Sequence, residues 1–138
     1  MSIKSIEYSE YVGAPNEWVL VPATFFPANL IVGKNSTGKT RLLNLIINLS
    51  LIIRGARRIM NEGSYKLILE LNGQLYDYTI CCGNGQVVSE ELIIDEEVVL
   101  TRAKDGVGEI KAVKLGQNLD FQHPTNQLAV RRADSIQH

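Results

Sequence analysis

NLIVGKNSTGKTRLLNLI, residues 29–46, opens as an apolar strand, turns on glycines and polar residues, and continues directly into an apolar helix pattern. Gly33, Gly38, Lys39 and Thr40 fall on the spacing G-x-x-x-x-G-K-[ST], that of a loop that holds phosphate. Each position has a physical task. The glycines let the backbone take torsions that side chains resist, which brings amide N–H groups close to oxygen. Contributed by Gly33, Lys34, Asn35, Ser36, Thr37 and Gly38, such groups form a concave anion nest. A helix starting near Gly38 adds the positive end of its dipole at the same point. Lys39 supplies a full charge for the β- and γ-phosphates, and the Thr40 hydroxyl is placed to ligate Mg2+. The expected ligand is a nucleoside triphosphate with its magnesium ion.

Composition bounds what surrounds this loop. A chain of 138 residues, 45% hydrophobic and 21% charged, fits one globular domain with a real core. The net charge of −1 gives no global basic field, so any contact with nucleic acid has to be local. Cys81 and Cys82 are adjacent, a poor geometry for a bridge and no metal spacing, and the expected compartment is a reduced, cytoplasmic one. The charged start MSIKSIEYSE is not a secretory signal. LLNLIINLSLII, residues 42–53, is broken by Asn44, Asn48 and Ser50 and is shorter than the roughly 20 residues of a membrane span, so no membrane partner is expected. It reads as a helix apolar on nearly all sides and buried in the core.

Working outward, IKSIEYSEY, EWVLVPA and NLIVG are short β-like runs separated by GAPN and FPAN. The helix is expected from residue 38 to about 61, with Arg54, Arg57 and Arg58 near its end and Gly63 as its stop. YKLILEL-NG-QLYDYTICC then carries Asn72-Gly73, a strong hairpin signal, and GNG (83–85) and KDGVG (104–108) punctuate later strands. The expected fold class is α/β: one buried helix on a mixed sheet, with an antiparallel meander beside it. Three regions follow: a loop–helix core over 1–63, hairpins over 64–121, and the start of a helical segment over 122–138. FQHPTNQLAVRRADSIQH begins as a helix after Pro124 and ends without a cap, as a truncated element would.

NLIVGKNSTGKTRLLNLI, preceded by IKSIEYSEY and EWVLVPATF, resembles the amino-terminal lobe of ABC-type ATPase heads, with RecF-like, SMC-like and OLD-like proteins, of the AAA family in broad usage, as the nearest groups. Their loop commonly reads G-x-N-G-[SA]-G-K-[ST], which Gly33, Asn35, Gly38, Lys39 and Thr40 match. Ser36 stands where the family has Gly. Arg41 stands where a small hydroxyl residue often meets the α-phosphate. The resemblance implies ATP and Mg2+ as ligands, and a second ATPase head as partner, with ATP held between the two heads of a homodimer. It also implies hydrolysis that drives work on DNA, in repair, or on an effector nuclease in phage defence.

The resemblance further implies a Walker B acid, and ELIIDEE (91–97) imitates one. Asp95 would hold the metal through water and Glu96 would be the catalytic base. Against this, only Leu92–Ile94 precede Asp95, and EVVLTR resumes at once, which is the pattern of a hairpin turn. A Walker B strand has to lie parallel to the loop strand and be reached by a crossover. The turn is the preferred reading, so this chain is expected to bind ATP and hydrolyse little. Two rivals stay open: a complete small NTPase or kinase using Asp95 and Glu96, and a β-rich protein-binding module with a relic loop. Gln122 and Gln127 fall where the family places a glutamine that reaches Mg2+, though a solvated polar turn is the preferred explanation for each. Tyr8 and Tyr11 are candidates to frame adenine, and Trp18 is expected in the core. Arg54, Arg57 and Arg58, with Arg131 and Arg132, are candidates to touch DNA. His123 reads as a loop residue.

Overall fold

The structure, a computed structural model, describes residues 2–24, 39–56, 58–59, 62–103, 106–112, 116–122 and 124–130. Residues 25–38, which hold NLIVG, the run expected as the strand before the loop, and most of the phosphate motif, lie outside them, as do Arg57, His123, Arg131 and Arg132. The elements are β1 (Ser2–Glu10), β2 (Trp18–Thr24), α1 (Lys39–Ile53), β3 (Glu62–Leu71), β4 (Gln74–Gly83), β5 (Gln86–Ile94), β6 (Glu97–Arg102), β7 (Val107–Ala112) and β8 (Gln117–Gln122). All eight strands form one open sheet in the order β2-β1-β3-β4-β5-β6-β7-β8.

Every pairing in that sheet is antiparallel. This corrects the expected α/β class with a mixed sheet: among the described residues no two neighbouring strands are parallel. The physical reason has two parts. From β3 onward the turns are short, with Asn72-Gly73, Asn84-Gly85 and Asp95-Glu96 all at positive φ, and a two-residue connection joins only antiparallel neighbours. Long enough for a crossover is the β2–α1–β3 connection, and it does bring β3 back in the direction of β2. But β1 lies between those two strands and pairs antiparallel with both.

One face of the sheet is apolar and carries the helix. Ile6 and Tyr8 of β1, Tyr65 and Leu67 of β3, and Tyr78 and Ile80 of β4 meet Leu45, Leu49 and Ile52 of α1. Alternation places Ser64, Lys66, Thr79, Cys81 and Glu91 at the opposite registers, as expected for an antiparallel sheet with one wet face. The helix is buried along one stripe only. Leu43 and Ile47 are 48% and 55% exposed, so an envelope apolar on nearly all sides is not matched by burial on all sides.

The helix also stops sooner than Gly63. Gly55 takes φ 75°, its N–H donates to the Ile52 carbonyl at 3.0 Å, and Ala56 N–H donates to the Leu51 carbonyl at 2.9 Å. That pair of bonds is a Schellman cap, and glycine is the residue that reaches the required torsion without a Cβ penalty. At the far side of the sheet, Gly108 lets β7 approach β6. A Cβ there would stand 2.2 Å from the Thr101 carbonyl oxygen and 2.9 Å from the Phe121 ring.

After β8, residues 124–130 fold back over the apolar face instead of entering a helix at Pro124. Leu128 and Ala129 are each 1% exposed, and Val87 N–H donates to the Thr125 carbonyl at 2.6 Å.

Candidate functional site

The phosphate motif is described from its last two residues, Lys39 and Thr40, which are the first two of α1 and are placed by their backbone. Gly33, Lys34, Asn35, Ser36, Thr37 and Gly38 lie outside the described residues. The helix therefore begins where the spacing requires it, with the amides of its first turn at the motif lysine. No residue of the first turn of α1 is acidic.

Arg41 is described in full. Its guanidinium carbon lies 4.0 Å from the centroid of the Trp18 ring, and Nη2 donates to Glu10 Oε1. Glu10 and Trp18 are directly paired across β1 and β2, which puts carboxylate and indole side by side at the end of the hairpin. The other Glu10 oxygen accepts from the Tyr8 hydroxyl at 2.7 Å. Tyr8 in turn stands 5.5 Å from Trp18 and 4.7 Å from Tyr65, ring centre to ring centre. Burial, with the bond to Glu10 next, holds the Tyr8 phenol well above the usual tyrosine range. Four residues from three elements thus converge beside the first turn of α1. Tyr8 is core; Trp18 is half-buried against Arg41; Tyr11 sits in the β1–β2 turn at φ 51°. Glu10 was not singled out by sequence. Its one signal was a carboxylate in register with the only tryptophan.

Asp95 and Glu96 are the two residues between β5 and β6, at φ 48° and 68°. Asp95 N–H donates to the Leu75 carbonyl at 2.9 Å, and Leu75 N–H donates to Asp95 Oδ1 at 2.9 Å. The strand before them, β5, pairs antiparallel with β4 and β6, so the two acids lie in a hairpin turn. Gln122 is the last residue of β8 and pairs with Val107. The exposed Gln127 contributes its backbone carbonyl to the Arg102 guanidinium at 2.7 Å.

The buried charged centre lies under residues 124–130. Glu90 and Arg102 are 1% and 3% exposed and face each other across β5 and β6, with Arg102 Nη2 3.0 Å from Glu90 Oε1. Tyr78 donates its hydroxyl to Glu90 Oε2 at 2.5 Å, and burial, then the Glu90 charge, raises its pKa well above the ordinary value. Sequence reading passed over all three.

Elsewhere, a cleft of about 310 Å3 separates the C-terminal end of α1 from Asn126–Leu128. At a rise of about 1.5 Å per residue, the helix puts this cleft roughly 20 Å from Lys39, well apart from the G-x-x-x-x-G-K-[ST] motif. Arg54 and Arg58 are exposed there. Cys82 is buried and its thiol is pushed up to about 11 by burial, then by its neighbours Cys81 and Glu90. Among the described residues no group of three or more His, Cys, Asp or Glu side chains is arranged to hold a metal, and no helix is long and apolar enough to cross a membrane. Comparison of the chain with protein-family models, curated proteins and solved structures gives no match.

Proposed function

We propose that this chain is the ATP-binding part of a nucleotide hydrolase. Gly33–Thr40 would hold the triphosphate, Lys39 would meet the β- and γ-phosphates, and Thr40 would give Mg2+ one hard oxygen ligand. The observation that supports this most is a coincidence of two independent features: the motif ends on Gly38-Lys39-Thr40, and α1 starts at Lys39. In the full-length form, two such heads would close on ATP in the cytoplasm and drive work on DNA or on an effector nuclease. That part rests on the family resemblance. Asp95 and Glu96 sit in the two-residue turn between β5 and β6, so turnover by the isolated chain is expected to be slow.

Equilibrium titration with a fluorescent ATP analogue tests the reading. Saturable, magnesium-dependent binding that disappears in Lys39→Ala is the expected result. Binding that survives that change, with the fold intact by circular dichroism, means the loop is not the site.

A further inference from the structure

We propose that Arg41, fixed between Trp18 and Glu10, is a shelf on which the nucleobase stacks. This inference deepens the proposed function and rests on the phosphate loop being live.

Arg41 stands directly after Thr40, in the first turn of α1. For helix stability that is the wrong place for a cation, because the positive end of the dipole opposes it. The fold compensates with specific contacts. One face of the guanidinium lies on the Trp18 ring at 4.0 Å, and one edge is tied to the Glu10 carboxylate. Glu10 is itself steadied by the Tyr8 hydroxyl at 2.7 Å, and Trp18 is backed by Tyr8. Even so, half of the Arg41 side chain remains open to solvent, at 50% exposure. A planar cation with one face on an indole and its edge satisfied by a carboxylate has its other face left for a ligand. Flat, π-faced ligands suit such a surface, since guanidinium planes stack on bases without reading their hydrogen-bonding edges. A phosphate would instead compete with Glu10 for the edge. The stack Trp18–Arg41–base keeps the existing ion pair, needs no rearrangement, and predicts weak discrimination between adenine and guanine.

Calorimetry with Mg-ATP, Mg-GTP and inorganic tripolyphosphate separates base from phosphate. The native chain is expected to bind ATP and GTP with similar affinity, each about tenfold or more tighter than tripolyphosphate, as stacking of one base allows. Arg41→Lys keeps the charge and loses the plane. It is expected to weaken both nucleotides about tenfold while tripolyphosphate changes less than about twofold. Glu10→Gln, which frees the guanidinium edge, should move the nucleotides the same way by a smaller factor. Trp18 is the single tryptophan, so its emission should respond to ATP but not to tripolyphosphate, and the response should vanish in Arg41→Lys.

Equal loss of nucleotide and tripolyphosphate affinity in Arg41→Lys would make Arg41 a phosphate contact and overturn the shelf. Unchanged nucleotide binding, or equal affinity of the native chain for ATP and tripolyphosphate, overturns it too, and both leave the phosphate loop standing. A native chain that binds none of the three removes the loop reading, and the shelf with it.

Discussion

The carboxylate of Glu90 and the guanidinium of Arg102 lie 3.0 Å apart with no side-chain surface of either exposed to solvent. Neither partner is satisfied by the other alone. Glu90 also accepts from the Tyr78 hydroxyl at 2.5 Å and from the amides of Ala129 and Val130 at 2.8 and 3.0 Å. Arg102 also donates to the carbonyls of Pro124 and Gln127 at 3.1 and 2.7 Å, while its Nε has no partner. The pair is therefore a clamp: it binds residues 124–130 to the sheet by meeting backbone groups that burial would otherwise leave unpaired.

Removing one half of this clamp strands the other as a buried charge. Arg102→Met is expected to cost about 3–5 kcal/mol, and Glu90→Leu is expected to be destabilising as well, both read as a lower urea midpoint. The double variant Glu90→Leu with Arg102→Met should lose clearly less than the sum of the single changes, because no charge remains stranded. It should not regain native stability, since the carbonyls and amides of residues 124–130 lose their partners in it. Full additivity would show that the two side chains act separately.

A stabilising change is expected at the β5–β6 turn. Asp95 is suited to positive φ because its carboxylate takes the Leu75 amide, and aspartate tolerates that torsion. Glu96, at φ 68°, carries a Cβ in a region that disfavours it. Glu96→Gly should raise stability by about 1 kcal/mol, with an unchanged denaturant slope. Nucleotide binding and any slow turnover should stay as in the native chain. A loss of turnover in that variant would return Glu96 to the catalytic role that its turn position argues against.

Alkaline pH should weaken the fold through Cys82. Burial raises its thiol from the ordinary 9.0 to about 11, so the folded chain keeps this proton where the unfolded chain has released it. The stability tied to the protonated thiol is complete below pH 9.0 and is lost as pH climbs toward about 11. Tyr8 and Tyr78, both shifted upward by burial, extend the decline above their ordinary 10.0. Denaturation midpoints of the native chain and Cys82→Ala, followed from neutral to alkaline pH, should converge as pH rises. Alkylation of the native fold should reach half-buried Cys81 before Cys82. Parallel pH curves for the two proteins would contradict this account.

Much of the local structure was legible before the chain was folded. Asn72-Gly73 marks its hairpin because a two-residue turn at positive φ matches the twist of the strands it joins. Asp95-Glu96 reads as a turn since apolar runs border it closely on both sides. The start of α1 follows from the motif that ends at Thr40. Gly55 is equally legible as a stop: it is the glycine one helical turn past the last buried apolar residue of α1, Ile52, whereas Gly63 lies too far downstream.

What sequence determined by itself, then, was the set of local elements and their turns, because these depend on torsions and spacing within a few residues. Tertiary structure alone decided the order and direction of the strands, since β1 entering between β2 and β3 is a choice among distant partners. It also decided the buried clamp. Counted straight back from the Ile94–Glu97 pair, Glu90 would face Thr101; the irregularity between Leu92 and Ile93 shifts the register by one and brings Arg102 opposite. A slip of one residue turns a side chain from water to core, and no local pattern in ELIIDEEVVLTR fixes where that slip falls.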